Sequence, residues 1–540
     1  MLKTILRLSA SLPVFAVAAY AASAPTPQVD EADAYFKGAQ ATLESRRTPD
    51  INKRKAKNVI LFVGDGMDPT TVAAARIFDG QSHGEDGEEN FLSFEKFPHL
   101  AMSKTYNTDA QTPDSAGTIS AMVTGMKTKM GVISLSDRVV VSDCASTAAA
   151  MTATLGELSE QAGMATGVIS TARLTHATPA AVYSHAADRE WESDTDLPEN
   201  AQEGGCSDIA RQLIEFPYGD GLEVAMGGGR SNFIPAETAD PEGDAAATGR
   251  RRDGRDLTAE WTAKDNSHAY VWNAEQFDAI DPSSSPKVLG LFEASHMEYE
   301  ADRENDKAGE PSLAEMTEKA IDILDNDKDG FFLLVEAGRI DHAHHGGNAA
   351  RAMRDAQALS DAVAMAREKT SSDDTLIIVT ADHGHVLTFA GYPTKGNNIL
   401  GLATASFDDG HDYDDDYARA ADGRKYTTLA YTNGPGTLLA GQEEKGVRHE
   451  PTEEEVADVN YRQQAAIPMR SETHGGQDVT IYADGPRAYL FSGVVEQNYI
   501  FHVIDDALSL KKTRRQIIAQ FLTRPTNKKG AARPLSHSFA

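Results

Sequence analysis

The chain has 540 residues, of which 40% are hydrophobic and 25% are charged, and its formal net charge is -31. This is the composition of a soluble globular protein that is long enough for one large domain with insertions or for several smaller domains. The negative charge would repel nucleic-acid phosphates, which argues against a DNA- or RNA-binding function. It is typical of a solvated acidic surface, and it is also compatible with carboxylates gathered around cations.

The first segment of the chain has the pattern of a secretory signal. The basic stretch MLKTILR precedes a short apolar core, and Ala19 and Ala21 form a small-x-small cleavage site. We therefore predict a signal peptide over residues 1–21, a helical arm over residues 22–57, and a periplasmic or secreted mature protein. No second apolar run of spanning length follows, so we expect no membrane anchor.

The chain has two cysteines, Cys144 and Cys206. In an oxidising compartment the default expectation is one disulfide between them, and the alternative is a pair of buried free thiols. The predicted export favours the disulfide.

Apolar runs alternate with helical patterns from Asn58 onward. The runs NVILFVGD, ATGVIST, GFFLLVEAG and TLIIVTADHG are apolar on both faces, like the buried strands of a parallel sheet. Between them lie helix-like segments such as SAGTISAMVTGMKTK and ARAMRDAQALSDAVAMAREKT. This alternation predicts an α/β fold with a central, mostly parallel sheet flanked by helices over residues 58–505. We also predict an inserted, exposed subdomain at about residues 391–462 and a disordered basic tail over residues 506–540.

Polar side chains lie at the ends of three of these predicted strands. Asp65 ends the first, Glu336 lies near the end of another, and Asp382 and His383 end the last. Taken singly, an Asp at such a position is more commonly a helix cap or a turn residue. Because ligands bind beyond the carboxyl ends of parallel strands, the coincidence favours a shared cation site.

One carboxylate and two imidazoles form a further group of candidate ligands. Asp341 and His345 are four residues apart in DHAHH and share a face if that piece is helical, and His474 lies in the Gly-rich loop SETHGGQD. Such a set suits zinc with one position left open. The strand-end residues then form two further sets. Asp65, Asp382 and His383 form a second zinc set. Glu336, with a hydroxyl oxygen and waters, forms a magnesium-type site.

Glu336 also completes the calcium-loop pattern D-x-D-x-D-G-x5-E, which begins at Asp325. One residue cannot both close a calcium loop and serve a second metal site. An EF-hand loop leads into an amphipathic helix, whereas this chain enters the apolar run FFLLVEAG, which has the composition of a core strand. We therefore predict a polar turn from Asp325 to Asp329 and assign Glu336 to the other site.

Ser115, in TPDSAGTISAMVTG, precedes a run of small, helix-compatible residues. A serine at a helix N-terminus is most commonly a cap, but the position also suits a nucleophile for phosphate, because free N–H groups and the helix dipole favour anionic oxygens. No G-x-S-x-G elbow surrounds Ser115, so an α/β-hydrolase triad is not indicated. A zinc ion could lower the pKa of this hydroxyl and replace a general base.

Several segments follow the order of one known family: VGDGM, TPDSAGT, THATPA, DREWESD, VEAGRIDHAHH, TADHGH and ETHGGQD. They span about Asn58 to Asp478. In these segments the chain resembles the alkaline phosphatases, and most closely their animal-type and marine branch. The resemblance implies hydrolysis of small phosphate monoesters through a phosphoserine, with two Zn²⁺ and one Mg²⁺ as cofactors. It also implies that the insert is a crown subdomain.

The resemblance further implies roles for individual residues. Ser115 would be the phosphorylated nucleophile, and Arg189 would hold the phosphoryl oxygens. His385 would lie behind the metal ligands. The ligands would be Asp341, His345 and His474 for the first zinc, Asp65, Asp382 and His383 for the second, and Asp65, Thr178 and Glu336 for magnesium, with His176 beside it.

Other implied features lie away from this site. Cys144 and Cys206 fall where animal members carry a disulfide. We expect a homodimer without a lipid anchor, with the N-terminal helix as a contact arm. The candidates for one further ion, calcium, are Glu242, the backbone of Phe292, Glu293 and Glu310.

Two other functions stay open. One is a phosphodiesterase or sulfatase of the same superfamily. Sulfatases need a C/S-x-P-x-R setting that DSAGT lacks, and diesterases tend to lack the magnesium set and the Arg189 clamp. The other is a non-catalytic protein that binds metal or phosphate, and the intact Ser115 argues against it.

Overall fold

The computed structural model describes residues 33–47, 51–243, 248–405, 415–436 and 448–510. The chain divides into two compact units, Met1–Ile51 and Asn52–Ala540. The described part of the first unit is the helix Ala34–Arg46, which begins where the Asp33 side chain accepts a hydrogen bond from the Phe36 N–H at 2.8 Å. The predicted signal peptide and most of the predicted basic tail lie outside the described residues. Within the described ranges, no helix has the length and apolar character needed to cross a membrane.

The second unit is built on one large sheet and two small ones. The described strands are, in chain order, β1 (Asn58–Gly64), β2 (His99–Lys104), β3 (Ala165–Arg173), β4 (Val224–Gly228), β5 (His268–Val271), β6 (Lys287–Leu291), β7 (Phe331–Ala337), β8 (Thr375–Ala381), β9 (Gly384–His385), β10 (Leu387–Phe389), β11 (Leu429–Gly434), β12 (Ala465–Pro468), β13 (His474–Gly475), β14 (Val479–Asp484) and β15 (Val494–Glu496).

The large sheet has the strand order β15-β2-β14-β8-β1-β7-β3-β4-β6-β5. From β8 to β5 in this order, each strand is parallel to the next one. β14 runs antiparallel to both β8 and β2. The prediction of a mostly parallel sheet is therefore confirmed.

Helices cover both faces of this sheet. Strands β1, β7 and β8 are buried along their whole length, as apolar runs that are covered on both sides should be. Ile60 of β1 enters a core that includes residues of the helix Ala349–Lys369, whereas Leu61 enters a second core with residues of the helix Ser115–Thr124. Alternate residues of one strand thus pack in separate cores, which is the arrangement of an α/β fold.

The helix ends follow local sequence signals. The helix Leu313–Leu324 begins with a capping box between Ser312 and Glu315, and the helix Ser115–Thr124 ends at Gly125, whose φ is 76°. The described α-helices of the second unit are Pro69–Ser82, Ser115–Thr124, Thr147–Ala150, Leu155–Gln161, Ala177–Ala180, Glu199–Glu203, Ile209–Ile214, Leu257–Thr262, Ala274–Asp278, Leu313–Leu324, Arg339–His345, Ala349–Lys369, Glu453–Ala457 and Tyr499–Leu508.

The predicted insert at about residues 391–462 is described in part. Its strand β11 pairs antiparallel with β10 and parallel with β12, in a small sheet separate from the large one. The acidic residues Asp408 to Asp414 lie outside the described residues. The assignment of the insert as a crown subdomain stays a prediction.

Candidate active site

Four neighbouring strands, β8, β1, β7 and β3, bring polar side chains to one edge of the sheet. Asp65 directly follows β1, Glu336 is the penultimate residue of β7, and Asp382 follows β8. His176 and Thr178 lie just beyond the end of β3. Because the four strands are adjacent and parallel, these side chains meet at their carboxyl ends. The structure thus brings together the residues that the strand-end pattern singled out.

Asp65, Asp382 and His383 form a compact set that we call the His383 group. The Nε2 atom of His383 lies 3.3 Å from Asp65 Oδ1 and 3.3 Å from Asp382 Oδ2. The Ser115 hydroxyl oxygen lies 3.1 Å from the same nitrogen. All four side chains are buried. The candidate nucleophile therefore lies directly against the second predicted ligand set.

Asp341, His345 and His474 form a second set, which we call the Asp341 group. The Nε2 atoms of His345 and His474 each lie 3.3 Å from Asp341 Oδ1, and they lie 3.1 Å from each other. Asp341 and His345 belong to the helix Arg339–His345, so they share a face as their spacing predicts. Nδ1 of His474 donates to the Pro113 carbonyl at 2.8 Å, which orients the ring.

His385 lies behind the Asp341 group, between two carboxylates. Its Nε2 is 2.8 Å from Asp341 Oδ1, and its Nδ1 is 2.6 Å from Glu472 Oε2. Burial opposes the charged imidazolium, but Glu472 and Asp341 overcome this effect and raise the pKa of His385 to about 10. The ring lies against Gly66, whose φ is +71°. A Cβ on Gly66 would come within 2.3 Å of the ring, so only glycine fits this turn.

Asp65 also takes part in a third set, with His176 and Glu336, which we call the Glu336 group. One candidate ligand atom from each of these residues lies within 4.8 Å of the others. The Ser170 hydroxyl donates to Glu336 Oε2. Thr178, the predicted hydroxyl ligand, is fully buried.

Several buried polar atoms in these groups have no hydrogen-bond partner among the described residues. They are both carboxylate oxygens of Asp65, Oε1 of Glu336 and the Thr178 hydroxyl. Burial and the neighbouring carboxylates raise the pKa of Asp65 well above its ordinary value, and burial raises the pKa of Glu336 to about 7. Buried carboxylates without partners are strongly unfavourable unless cations compensate them. The donor atoms therefore fit bound metal ions.

Ser115 is the first residue of its helix, but it is not the cap. Asp114 caps the helix, because its Oδ1 accepts a hydrogen bond from the Gly117 N–H at 3.1 Å. Arg189 donates through Nη1 to Asp114 Oδ2 at 3.2 Å, and its Nη2 lies 3.0 Å from His176 Nε2. One carboxylate thus fixes both the start of the helix and the guanidinium, and the Ser115 hydroxyl stays free of capping.

The calcium-loop alternative for Glu336 is excluded by the local fold. Asp325 is the C-cap of the helix Leu313–Leu324, and the chain then turns into strand β7. The segment forms a polar turn between a helix and a core strand, as predicted.

The other calcium candidates lie in a separate acidic set. Glu242 and Glu293 lie close to Asp306, a residue that no sequence motif marks. The Glu310 carboxylate accepts a hydrogen bond from the Glu298 N–H at 3.1 Å, and burial together with the charges of Glu293 and Asp306 raises its pKa to about 9. The Phe292 side chain is fully buried.

Arg230 already supplies positive charge to this acidic set. It donates to Asp240 at 2.7 Å and 2.9 Å and also to Glu242. A protein cation therefore compensates part of the negative charge, and the calcium site stays a prediction.

Cys144 and Cys206 form a disulfide, with their Cα atoms 6.0 Å apart. The predicted disulfide is therefore confirmed, and the alternative of two free thiols is excluded.

Sequence reasoning missed the residues that orient the candidates, namely Asp114, Ser170 and Glu472. Asp114 was visible only as the neighbour of Ser115. Glu472 precedes His474 by two residues, and this proximity was its one sequence signal. Ser170 lies inside strand β3 and carries no motif.

Comparison with known proteins gives the family. The family model for alkaline phosphatase matches residues 56–510. The tissue-nonspecific alkaline phosphatase isozyme of Gallus gallus is 44% identical over 485 residues, covering 88% of this chain and 89% of that protein. The alkaline phosphatase of Gadus morhua is 42% identical over 482 residues, covering 88% and 97%. The Homo sapiens tissue-nonspecific isozyme is 42% identical over 499 residues, covering 91% of each.

Solved structures agree on the fold. The alkaline phosphatase from the Antarctic bacterium TAB5 matches with a TM-score of 0.56 and 22% identity, covering 85% of this chain and 99% of that one. The Thermus thermophilus alkaline phosphatase matches with a TM-score of 0.58 and 22% identity, covering 87% and 96%.

The parallel sheet, with groups of candidate metal ligands at its carboxyl edge, defines a metal-dependent hydrolase of the α/β class. The chain belongs to the alkaline phosphatase family. Its activity is accordingly the hydrolysis of phosphate monoesters.

Proposed function

We propose that this chain hydrolyses phosphate monoesters through a covalent phosphoserine at Ser115. Two zinc ions would be held by the His383 group and the Asp341 group, and one magnesium ion by the Glu336 group with Thr178. The observation that carries this proposal is the spacing of the candidate ligand atoms in the first two groups.

This spacing supports two zinc sites. Zinc in proteins is tetrahedral with bonds of about 2.0–2.1 Å, which sets neighbouring ligand atoms about 3.3 Å apart. In the Asp341 group the three ligand atoms are separated by 3.1 Å, 3.3 Å and 3.3 Å. In the His383 group the imidazole nitrogen is 3.3 Å from each carboxylate oxygen. Imidazole and carboxylate ligands at this spacing suit zinc in both places.

The ligand atoms of the Glu336 group suit a harder cation than zinc. Its donors are mainly oxygen atoms, from Asp65, Glu336 and Thr178, and these atoms are buried without full protein partners. Oxygen ligands with room for waters suit magnesium. His176 lies beside this set, as the family resemblance implies.

When bound, the metal ions supply Lewis acidity that lowers the pKa of the Ser115 hydroxyl and stabilises negative charge on the leaving alcohol. Ser115 Oγ attacks phosphorus while the phosphorus–oxygen bond to the alcohol breaks, which gives the free alcohol and a phosphoserine. Water then hydrolyses the phosphoserine, releasing inorganic phosphate and restoring the serine hydroxyl.

Arg189 would bind two phosphoryl oxygens during both steps. A guanidinium offers parallel N–H groups that match phosphate geometry, and Asp114 holds this one in place at 3.2 Å. Because Asp114 also caps the helix that begins at Ser115, the nucleophile and the anion clamp are anchored to the same carboxylate.

We also propose that the mature protein is exported to the periplasm or secreted, and that it forms a homodimer. The disulfide between Cys144 and Cys206 supports an oxidising compartment. Light scattering of the purified mature protein at several concentrations tests the dimer.

Replacement of the nucleophile tests the mechanism. Ser115→Ala should lower kcat for an aryl phosphate by about a thousandfold or more, because no covalent intermediate can form. Acid-quenched wild-type enzyme should carry one phosphate on the Ser115 peptide by mass spectrometry, and the variant should carry none.

Ser159→Ala is the matched control. Ser159 is also fully buried, and its hydroxyl has no partner among the described residues, so its loss should leave turnover unchanged. Near-normal hydrolysis by Ser115→Ala would overturn the mechanism. Rates for a diester measured in parallel should be much lower than those for the monoester.

A further inference from the structure

A row of arginine and histidine side chains leads away from Arg189, the residue proposed to bind the phosphoryl oxygens. Arg189 Nη2 lies 3.0 Å from His176 Nε2, and the rings of His176 and His342 have their centres 5.4 Å apart. Arg339 Nη1 donates to His342 Nδ1 at 3.1 Å. These four residues, which we call the Arg339 row, connect the Arg189 guanidinium to a second guanidinium.

Arg339 has no ion-pair partner within the described part of the chain. The positive charge of Arg339 acts on the buried Asp355 carboxyl and lowers its pKa, but the two side chains form no ion pair. The buried Nε atom of Arg339 also lacks a hydrogen-bond partner. The chain has a net charge of -31, so this half-buried guanidinium lacks a partner although carboxylates are abundant in the chain.

The neighbouring arginines show the contrast. Arg173 forms a two-point ion pair with Glu192, at 2.8 Å and 2.6 Å. Arg351 forms a two-point ion pair with Asp302, at 2.6 Å and 3.1 Å. Unlike these two arginines, Arg339 has no carboxylate partner among the described residues, so its guanidinium can bind an external anion.

Arg339 is nevertheless held in a fixed orientation. Its guanidinium stacks over the Tyr299 ring at 3.7 Å from the ring centre, and its backbone N–H donates to the Thr171 hydroxyl at 3.2 Å. Stacking fixes the plane of the guanidinium and leaves its N–H edge available. Because His342 Nδ1 accepts from Arg339, the proton of the neutral His342 ring is on Nε2, which adds another donor.

We propose that Arg339 and His342 form a subsite for a second anionic group on the substrate. The ligand class is phosphate monoesters whose alcohol part carries a carboxylate or another anion. The subsite offers N–H donors and one positive charge, and this combination selects an anion over a neutral polar group. The inference rests on the proposed function, because it assumes that the phosphoryl group lies between Ser115 and Arg189.

The test compares two matched series of alkyl phosphates with increasing chain length. One series ends in a carboxylate and the other in a carboxamide. In the wild-type enzyme, at least one carboxylate ester should have a KM about fivefold lower than its amide, as expected for a charged hydrogen bond in a half-buried site. Arg339→Gln should remove this difference and leave kcat for the amide esters unchanged.

Arg351→Gln is the matched control, because Arg351 also lies over the Tyr299 ring but is paired with Asp302. This control should keep the carboxylate preference. A purely structural role of Arg339 would change the KM of both series alike, which would overturn the subsite. Equal KM values for carboxylate and amide at every chain length in the wild-type enzyme would overturn it without any variant. Turnover of the amide esters in that same experiment reports the proposed function separately.

Discussion

Glu472 is expected to control how tightly the Asp341 group binds the zinc ion proposed there, although it belongs to none of the predicted ligand sets. It is buried, and its two carboxylate oxygens accept hydrogen bonds from His385 Nδ1 at 2.6 Å and from the Val386 N–H at 2.7 Å. His385 in turn donates to Asp341 at 2.8 Å. A change at Glu472 is therefore transmitted through one imidazole to a candidate metal ligand.

The substitution Glu472→Gln keeps the shape of the side chain and removes its charge. The amide oxygen can still accept from the Val386 N–H, but the amide NH₂ faces His385 Nδ1 and forces that nitrogen to become an acceptor. His385 then becomes neutral and donates a weaker hydrogen bond to Asp341. Loss of such an outer partner typically lowers metal affinity about 10- to 100-fold, or about 1.4–2.7 kcal/mol.

The assay removes metal with a chelator and follows the recovery of aryl phosphate hydrolysis as zinc is added back from a buffered stock. Glu472→Gln should need about 10- to 100-fold more free zinc for half-recovery, and its activity at saturating zinc should be closer to the wild type. Glu160→Gln is the control, because Glu160 is another buried carboxyl beside the amino end of β3, at the opposite edge of the sheet. An unchanged zinc requirement in Glu472→Gln would refute the argument.

Two predictions concern stability. Replacing Cys144 and Cys206 together by serine opens a link across 62 residues and should lower the free energy of unfolding by about 4 kcal/mol in denaturant titrations, and an unchanged midpoint would contradict this. Burial raises the pKa of Glu160 to about 8, so the unfolded chain loses this proton near pH 4.5 and the folded chain only near pH 8. Stability from this group therefore falls as the pH rises between these values. Glu160→Gln should be more stable than the wild type by up to about 5 kcal/mol at pH 8, with no gain near pH 4.5, as measured by unfolding at both pH values.

The central strands could be predicted from sequence because their burial leaves a simple signal. Residues 58–64, 331–337 and 375–381 are apolar on both faces, and each forms a fully buried parallel strand. Strands nearer the edge of the sheet, such as β2 and β15, are partly exposed and mix polar with apolar residues, so no run marked them. The antiparallel direction of β14 depends on a chain path that no local pattern encodes.

The candidate ligands could be located from sequence for a related reason, because they lie at strand ends or are spaced to share one face of a helix. The residues that orient these ligands could not be located in this way. Asp114 and Arg189 are 75 residues apart, and Glu472 and His385 are 87 residues apart, so their contacts exist only in the folded chain. Asp306 was missed because the turn that brings it to Glu242 and Glu293 carries no motif.

Asp65 contributes one carboxylate to two neighbouring groups, and this sharing has a thermodynamic consequence. Burial and the neighbouring carboxylates raise the pKa of Asp65 above its ordinary value, so they disfavour the deprotonation that binding of a metal ion requires. The first ion to bind meets the whole cost of that deprotonation, so the second meets a carboxylate that is already ionised. Filling of the two positions should therefore be cooperative, and partly loaded enzyme should be scarce compared with empty and full enzyme.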